Sequence, residues 1–192
     1  ALLACREGAL ALFAVADTIK PNSREAIARL AAMGIQTQML SGDNQVTAEA
    51  IARQAGISRA RGGLLPSEKL DAIESMKGVG HLVAMAGDGI NDAPALAASD
   101  IGIAMGASGT DIAIEAADIA IMNDDLRRIP DLIDLSKQTR TVLSQNIALA
   151  LSIKAAFLAL AVFGSATMWM AVFADMGASL IVVANSLRLL RK

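Results

Sequence analysis

The chain has 192 residues, of which 54% are hydrophobic, and its mean hydropathy of +0.49 is high for a wholly soluble domain. Charged residues make up 19%, and the net charge of −2 with an isoelectric point near 5.4 argues against a nucleic-acid-binding surface. A single cysteine, Cys5, excludes an internal disulfide framework and is expected to be structurally incidental. Because the sequence starts without methionine or a signal-peptide pattern, we expect it to be truncated there.

The first 125 residues alternate short apolar runs with helical patterns, which is typical of βα units around a mostly parallel sheet. Strands are predicted at residues 9–16, 35–40, 81–86, 101–105 and 118–122. Helix start signals lie at Pro21-Asn22-Ser23, Asp43-Asn44 and Pro66-Ser67-Glu68, and left-handed caps are predicted at Gly34, Gly56 and Gly78. The sequence therefore predicts an α/β domain over residues 1–125.

The remainder, residues 126–192, reads as a helical lead-in followed by two apolar runs. A helical stretch from Asp125 continues into residues 147–163, which span roughly 25 Å at 1.5 Å per residue. After the turn Gly164-Ser165-Ala166-Thr167, the apolar run at residues 168–187 is long enough to cross a bilayer in the opposite direction. Basic residues flank the two runs at Arg127, Arg128, Lys137, Arg140, Arg188, Arg191 and Lys192. We predict a transmembrane hairpin with both ends cytoplasmic; a buried hairpin in a soluble protein is the alternative.

Polar residues follow two of the predicted strands, where an open parallel sheet binds its ligands. Ser41-Gly42-Asp43 places a hydroxyl and an unhindered backbone amide at a helix start, which suits a phosphate oxygen, although such a tripeptide is also an ordinary helix start. The run Gly87-Asp88-Gly89-Ile90-Asn91-Asp92-Ala93-Pro94 crowds two carboxylates and a carboxamide together. Crowded carboxylates require a cation, and hard oxygen ligands suit Mg2+. Lys69 is the natural countercharge for a phosphoryl group or an acyl phosphate.

The run at residues 87–94, with a strand before it and a helix after it, resembles the phosphorylation domain of P-type ATPases, a branch of the haloacid dehalogenase-like fold. The resemblance implies that Asp88 holds Mg2+ and that Asn91 and Asp92 order the phosphate and metal site. It further implies that Ser41, Gly42 and Asp43 contact the phosphoryl group and that Lys69 stabilises its charge.

The segment that carries the phosphorylated aspartate in that family, Asp-Lys-Thr-Gly-Thr, does not occur in this sequence. Asp17-Thr18-Ile19-Lys20 follows a predicted strand but lacks the glycine and the second threonine, and we interpret Asp17 as structural. The nucleotide-binding domain of the family, which binds most of the ATP, is also expected upstream of residue 1. We therefore expect an incomplete haloacid dehalogenase-like domain that cannot hydrolyse ATP alone.

Two ionisable residues, Lys154 and Asp175, lie inside the predicted membrane helices. Both are roughly 12 to 15 Å from the turn at 1.5 Å per residue. Because placing a charged side chain inside a bilayer costs several kcal/mol, we expect both residues to have a function. An Asp/Lys pair offsets part of the desolvation cost, and the carboxylate can instead coordinate a divalent cation while Lys154 serves as counter-ion. A purely stabilising ion pair is the competing interpretation.

The segments around Lys154, Met168-Trp169-Met170 and Asp175-Met176-Gly177 look like the last two helices of the zinc/cadmium/lead-exporting class of P-type ATPases. That resemblance implies ATP-driven export of Zn2+, Cd2+ or Pb2+ across a bacterial plasma membrane, with the α/β domain cytoplasmic. The long helix from Asp125 would carry the motion of that domain to Asp175. Met168, Met170 and Met176 are soft ligands that would suit Cu(I) in the copper-exporting class. Two rival hypotheses are a membrane-anchored phosphatase of the same superfamily and a non-catalytic membrane module.

Overall fold

The computed structural model describes residues 2–5, 8–12, 19–87, 90–106, 111–164 and 167–191. The chain separates into two compact units, Ala1–Pro130 and Asp131–Lys192. The division into functional domains at residues 125 and 126 stays a prediction.

The first unit is an α/β unit whose strands form three small sheets. The strands are β1 (Leu2–Cys5), β2 (Gly8–Leu12), β3 (Gln38–Leu40), β4 (Arg59–Arg61), β5 (Ala84–Gly87), β6 (Ile101–Met105) and β7 (Ile119–Ile121). The helices are α1 (Pro21–Ala32), α2 (Gln45–Ala55), α3 (Pro66–Gly78), α4 (Ala93–Ala98) and α5 (Asp111–Ala116), with a 3-10 turn at Ile90–Asp92. Strands β1 and β2 are antiparallel, β3 and β4 are parallel, and β5, β6 and β7 form a parallel sheet in that order.

The helix starts follow from local sequence chemistry. Pro21, Pro66 and Pro94 lie in the first turns of α1, α3 and α4, where the missing N–H of proline leaves no hydrogen bond unmade. Helix α2 starts after Asn44, whose Oδ1 accepts a hydrogen bond from the Thr47 backbone N–H at 2.9 Å. Helix α2 ends at Gly56, which adopts a φ of 84° that favours glycine.

The core of the first unit lies between α3, α4 and the sheet that carries β5. It consists of Ile73, Val83, Met85, Ala95 and Leu96, each at most 8% exposed. Burial of a leucine- or isoleucine-sized side chain contributes about 1.5 to 3 kcal/mol, so this cluster stabilises the strand end that precedes the run at residues 87–94.

An acidic side chain anchors the start of β5. Asp100 Oδ2 accepts the backbone N–H of Val83 at 2.8 Å, and Asp100 Oδ1 lies 3.2 Å from Lys77 Nζ. These contacts lower the pKa of Asp100, chiefly through the hydrogen bond from Val83 and then through Lys77. Lys77 also donates to the Ala98 carbonyl at 2.7 Å, so one lysine ties α3 to the segment between α4 and β6.

The second unit is formed by long apolar helices. Helix α6 (Arg128–Val162) has 35 residues, α7 (Met168–Ser186) has 19, and a 3-10 segment (Leu187–Arg191) follows α7. Both long helices have the length and the composition required to cross a membrane. Helix α7 starts after Thr167, whose Oγ1 accepts the Met170 backbone N–H at 3.4 Å.

The predicted fold class agrees with the structure, but several predicted boundaries do not. The strand predicted at residues 35–40 begins only at Gln38, because the Ile35 N–H donates to the Leu30 carbonyl at 3.0 Å and closes the end of α1. Gly78, predicted as a left-handed cap, is instead the last residue of α3; the left-handed residue is Gly80, with a φ of 86°. Helix α6 begins at Arg128 rather than Asp125.

Other predictions fall partly outside the described residues. Strand β2 covers Gly8–Leu12, and positions 13–16 of the predicted strand lie outside the described part of the chain. The same holds for Asp17, Asp88, Gly89 and, in the predicted turn, Ser165 and Ala166.

Candidate functional site

The carboxyl end of β5 carries the best-defined part of the site. Asp92, in the 3-10 turn that follows β5, forms an ion pair with Lys69 of α3, with Lys69 Nζ at 2.7 Å from Asp92 Oδ1. Both side chains are only 13% exposed. Taking two charges this far out of water is costly, and each compensates the other. The structure therefore joins two residues that lie 23 positions apart in sequence, Lys69, predicted to stabilise phosphoryl charge, and Asp92, predicted to order the phosphate and metal site.

Gly87 makes room for this ion pair. A Cβ atom added at Gly87 would lie 2.8 Å from Asp92 Oδ2 and 2.9 Å from Asp92 Cβ, distances that real Cβ atoms do not adopt. Asp92 is thus held on one side by the Lys69 ammonium and on the other by the bare backbone of the last residue of β5. Asn91 is exposed in the same 3-10 turn.

Ser41, Gly42 and Asp43 follow β3 and form a closed local arrangement. Ser41 Oγ donates to Asp43 Oδ2 at 2.9 Å and accepts the Asp43 backbone N–H at 3.1 Å. The Ser41 backbone N–H donates to the Arg61 carbonyl at 2.9 Å, so the start of this turn is fixed by β4. The Ser41 hydroxyl would have to rotate from Asp43 to donate to a phosphate oxygen.

Two residues that support this turn were not predicted. Gly62 approaches it so closely that an added Cβ would lie 2.7 Å from both the Asp43 carbonyl oxygen and Gln45 Cα. The Gly62 N–H donates to Gln45 Oε1 at 2.6 Å, and Gln45 Nε2 donates to the Ala60 carbonyl at 3.1 Å. The Gly62-Gly63 dipeptide is the sequence signal that would have indicated a close backbone approach.

The oxygen chemistry of the β5 edge fits Mg2+. Asp92 uses Oδ1 for Lys69, its second oxygen is available above Gly87, and Asn91 adds an exposed carboxamide. The described residues contain no cluster of three or more His, Cys, Asp or Glu side chains. Asp88, the predicted principal ligand, lies outside the described residues, so its place at the site stays a prediction.

Lys154 and Asp175 are both exposed in the second unit. Lys154 lies eight residues before the end of α6 at Val162, and Asp175 lies seven residues after the start of α7 at Met168, so they are roughly 12 Å and 11 Å from the helix ends at the turn. No ion pair joins them among the described residues. The structure therefore does not show the expected Asp/Lys pair; both side chains are exposed on the two helices. Their proposed use for cargo and countercharge stays a prediction.

A polar network joins the start of α1 to the residues that precede α6 in sequence. Asp125 accepts hydrogen bonds from the Arg127 guanidinium at 2.8 to 3.1 Å and from Asn22 Nδ2 at 2.8 Å. The Arg127 side chain lowers the pKa of Asp125 to about 2, helped by the Arg127 backbone N–H. Lys20 also pairs with Asp124. The start of α1 is thus tied to the residues that precede α6.

Comparison with known proteins identifies the class to which this fold and site belong. A family model described as haloacid dehalogenase-like hydrolase matches residues 3–100. The chain belongs to the haloacid dehalogenase-like hydrolases, as the run at residues 87–94 predicts. This assignment covers the first unit, whereas α6 and α7 lie outside the matched residues.

Its close relatives are metal-transporting ATPases. A probable cadmium-transporting ATPase from Listeria monocytogenes is 50% identical over 183 residues, which are 95% of this chain and 26% of the relative. The cadmium, zinc and cobalt-transporting ATPase of Bacillus subtilis is 46% identical over 181 residues, which are 92% of this chain and 26% of the relative. The chain thus spans about a quarter of the length of these relatives.

A solved structure extends the similarity to the helices. The crystal structure of a zinc-transporting PIB-type ATPase in its E2.Pi state is 43% identical, with a TM-score of 0.83 over 92% of this chain and 29% of that chain. The predicted resemblance to heavy-metal P-type ATPases and the predicted succession of an α/β domain and two apolar helices are confirmed.

Proposed function

We propose that the chain is part of a membrane ATPase that exports divalent heavy-metal cations, Zn2+, Cd2+ or Pb2+, through an aspartyl-phosphate cycle. The observation that carries this proposal is the presence in one chain of a nearly buried Lys69–Asp92 pair at a haloacid dehalogenase-like strand end and of two membrane-length helices. The apolar run of each helix, residues 147–163 and 168–187, contains one charged residue. The names of the relatives, cadmium- and zinc-transporting ATPases, support the same function.

In the phosphoryl half, the chain supplies position and charge. Lys69, restrained by Asp92, provides a fixed positive charge for a phosphoryl group, and phosphoryl transfer depends mostly on such positioning and electrostatics. Gly42 offers an unhindered backbone amide, and Ser41 offers a hydroxyl that can donate to a phosphate oxygen once it rotates away from Asp43. Mg2+, held by Asp88 and Asp92 and ordered by Asn91, would neutralise charge on the transferred phosphoryl group, with ATP as the phosphoryl donor.

In the membrane half, the proposed cargo ligand is Asp175 and the proposed counter-ion is Lys154. Their similar distance from the turn supports a common depth in the bilayer, where an ionisable side chain costs several kcal/mol unless it is used. A carboxylate binds a divalent cation directly, and a nearby ammonium keeps the empty site neutral. Both side chains are exposed on the hairpin, so each is accessible to a cation or to further helices.

For localisation, we propose a bacterial plasma membrane with the α/β unit on the cytoplasmic side. The support is the position of the basic residues, which flank the apolar runs at Arg128 and Lys137 on one helix and at Arg188 on the other, whereas Gly164 and Thr167 of the turn are uncharged.

The test is ATP hydrolysis by the full-length protein in sealed proteoliposomes. Zn2+ or Cd2+ is expected to stimulate hydrolysis and to accumulate inside vesicles, whereas Cu+ is expected to do neither. Stimulation by Cu+ alone would favour the copper-exporting class. Phosphate release from simple phosphate esters without any cation dependence would instead indicate a membrane-anchored phosphatase.

A further inference from the structure

The helices α6 and α7 are joined by a continuous series of side-chain hydrogen bonds. Arg188 Nη1 donates to Asn185 Oδ1 at 3.0 Å, and Asn185 Nδ2 donates to Asn146 Oδ1 at 2.8 Å. Asn146 Nδ2 then donates to Ser186 Oγ at 2.9 Å, and Ser186 Oγ donates to the Val182 carbonyl at 2.9 Å. We call Asn146, Asn185, Ser186 and Arg188 the interhelical amide cluster.

The direction of every bond in the cluster is fixed by its two ends. The Arg188 guanidinium can only donate, so Asn185 must turn its oxygen toward it and its NH2 toward Asn146. Asn146 must accept with its oxygen and therefore donates with its NH2 to Ser186. The backbone carbonyl of Val182 can only accept, and it receives the Ser186 proton. Each asparagine thus both donates and accepts, which an apolar side chain at either position cannot do.

The centre of the cluster is buried, although Arg188 at its end is exposed. Asn146 is 9% exposed. Among the residues for which the structure gives burial, it is the only polar residue that is buried. Asn185 and Ser186 are half-buried, and Gln145 adds an oxygen 3.4 Å from Asn185 Nδ2. An apolar pair at these positions would pack without desolvation cost, so the polar pair indicates a requirement for one specific alignment of the helices.

The alignment of α6 and α7 determines the relative depth of Lys154 and Asp175. Asn146 precedes Lys154 by eight residues in α6, and Asn185 follows Asp175 by ten residues in α7, which are roughly 12 Å and 15 Å along the helices. A slip of one helical turn between α6 and α7 would separate the depths of Lys154 and Asp175 by about 5 Å. No ion pair between Lys154 and Asp175 opposes such a slip among the described residues.

We infer that Asn146 and Asn185 are positioning residues that lock the register of α6 against α7 and thereby hold Lys154 and Asp175 at a common depth. The inference rests on the proposed transport function for its consequence, but the register lock itself is a property of the hairpin. Interhelical hydrogen bonds in membranes contribute enough to change a binding constant by about 3- to 10-fold.

The register is tested directly by spin labels in the full-length protein in nanodiscs. Labels at Leu143 of α6 and Val183 of α7, both exposed and each within one helical turn of the cluster, report the distance between the helices. Asn185→Leu is expected to shift or broaden that distance by up to about 5 Å, one helical turn. Thr141→Val is the matched control, because it removes a 2.9 Å hydrogen bond that stays within α6, to the Lys137 carbonyl. An unchanged distance in Asn185→Leu, or the same change in Thr141→Val, overturns the inference.

The consequence for cargo is tested by cadmium-stimulated ATP hydrolysis. Asn185→Leu is expected to raise the Cd2+ concentration for half-maximal rate about 3- to 10-fold while the maximal rate stays near that of the wild type. A fall in maximal rate with unchanged half-saturation contradicts positioning. If the wild type shows no cation-stimulated hydrolysis, the proposed function fails, and the spin-label distance still decides the register lock.

A double variant separates positioning from simple stability. Asn146→Leu/Asn185→Leu removes both amides, so neither is left unsatisfied, and thermal stability is expected to recover relative to Asn185→Leu. The half-saturation for Cd2+ is expected not to recover, since the register is still unspecified. Recovery of both would show that the amides matter only for folding. If Asn185→Leu does not fold, Ser186→Ala removes one acceptor without added bulk and is expected to shift both readouts in the same direction.

Discussion

At the scale of single residues, Asp92 is held from two sides. Lys69 Nζ lies 2.7 Å from Asp92 Oδ1, and the bare Cα of Gly87 leaves space for Asp92 Oδ2. The carboxylate therefore keeps the ammonium of Lys69 in one place, which is what a fixed countercharge for phosphoryl transfer requires. A change in any of these three residues is expected to affect the other two.

Replacement of Lys69 by methionine removes this charge. If the full-length protein is the proposed ATPase, Lys69→Met is expected to slow phosphoenzyme formation from ATP about 100-fold, as loss of one preorganised charge or donor typically does. It should also destabilise the α/β unit by about 3 kcal/mol, because Asp92 loses its partner while nearly buried. Labelled phosphoenzyme and thermal unfolding provide the two measurements.

The matched control is Lys77→Met, which removes another ion pair on α3, the one with Asp100. It is expected to reduce stability while phosphoenzyme forms at a rate near that of the wild type. An equal loss of rate in both variants would show that Lys69 acts only through stability.

Gly87→Ala tests the close approach at the end of β5. The added methyl group would collide with Asp92, so we expect the side chain to move and the rate of phosphoenzyme formation to fall at least about 10-fold, since small displacements in such sites are costly. Gly78→Ala is the control, because its added Cβ meets no atom within 4 Å and the helical position favours alanine by about 0.5 to 1 kcal/mol. A full rate in Gly87→Ala would contradict the assigned position of Asp92.

At the scale of elements, helix α2 depends on its cap. Asn44→Ala removes the acceptor for the Thr47 N–H and is expected to cost about 1 kcal/mol of unfolding free energy. Asn44→Asp keeps an acceptor oxygen at the helix N-terminus and should retain most of the stability. Denaturant unfolding measures both, and equal losses would show that the hydrogen bond is not what stabilises the helix start.

The network before α6 is expected to respond to acid. The pKa of Asp125 falls from 3.8 to about 2 in the folded chain, so the folded state binds fewer protons than the unfolded state in this range. Its contribution to stability is therefore complete above pH 4 and is lost as the pH falls toward 2. Asp125→Asn is expected to flatten the decline of the unfolding temperature between pH 4 and pH 2.

Asp71→Asn serves as the control for this acid response, because Asp71 is an exposed carboxylate with no ion pair among the described residues. An unchanged pH profile in Asp125→Asn would contradict the network as the source of the acid dependence.

The elements also show what the sequence predicts and what it does not. Continuously apolar strands such as β6 and proline-started helices such as α1 and α3 follow from local patterns, and the structure has them close to the predicted positions. Strand β4 cannot be predicted in this way, because Arg59-Ala60-Arg61 has no apolar pattern and lies in a two-stranded sheet. Its existence depends on pairing with β3, which no local signal specifies.

The candidate site shows the same division. The run at residues 87–94 carries enough information to predict the family and the residue types of the site. The direct bond between Lys69 and Asp92 is a tertiary contact between α3 and the turn after β5, so sequence spacing does not predict it. Likewise, the distances of Lys154 and Asp175 from the helix ends follow from counting residues, but their lack of an ion pair among the described residues depends on how the two helices face each other.

At the scale of the whole molecule, the proposed function requires a phosphoryl site and a cation site in one protein. The first unit contributes Lys69 and Asp92, and the second contributes Lys154 and Asp175. Each pair of residues also has a simpler explanation. A phosphatase of the same superfamily would use Lys69 and Asp92, and a structural role would account for Lys154 and Asp175. The proposed coupled transport uses both.

The most direct measurement is therefore the Cd2+ dependence of ATP hydrolysis by full-length Asp175→Ala and Asp175→Glu, reconstituted beside the wild type. Asp175→Ala is expected to lose cation stimulation while it still forms phosphoenzyme from inorganic phosphate and Mg2+, and Asp175→Glu is expected to retain part of the stimulation. Full stimulation in Asp175→Ala would contradict the claim that this carboxylate binds the cargo.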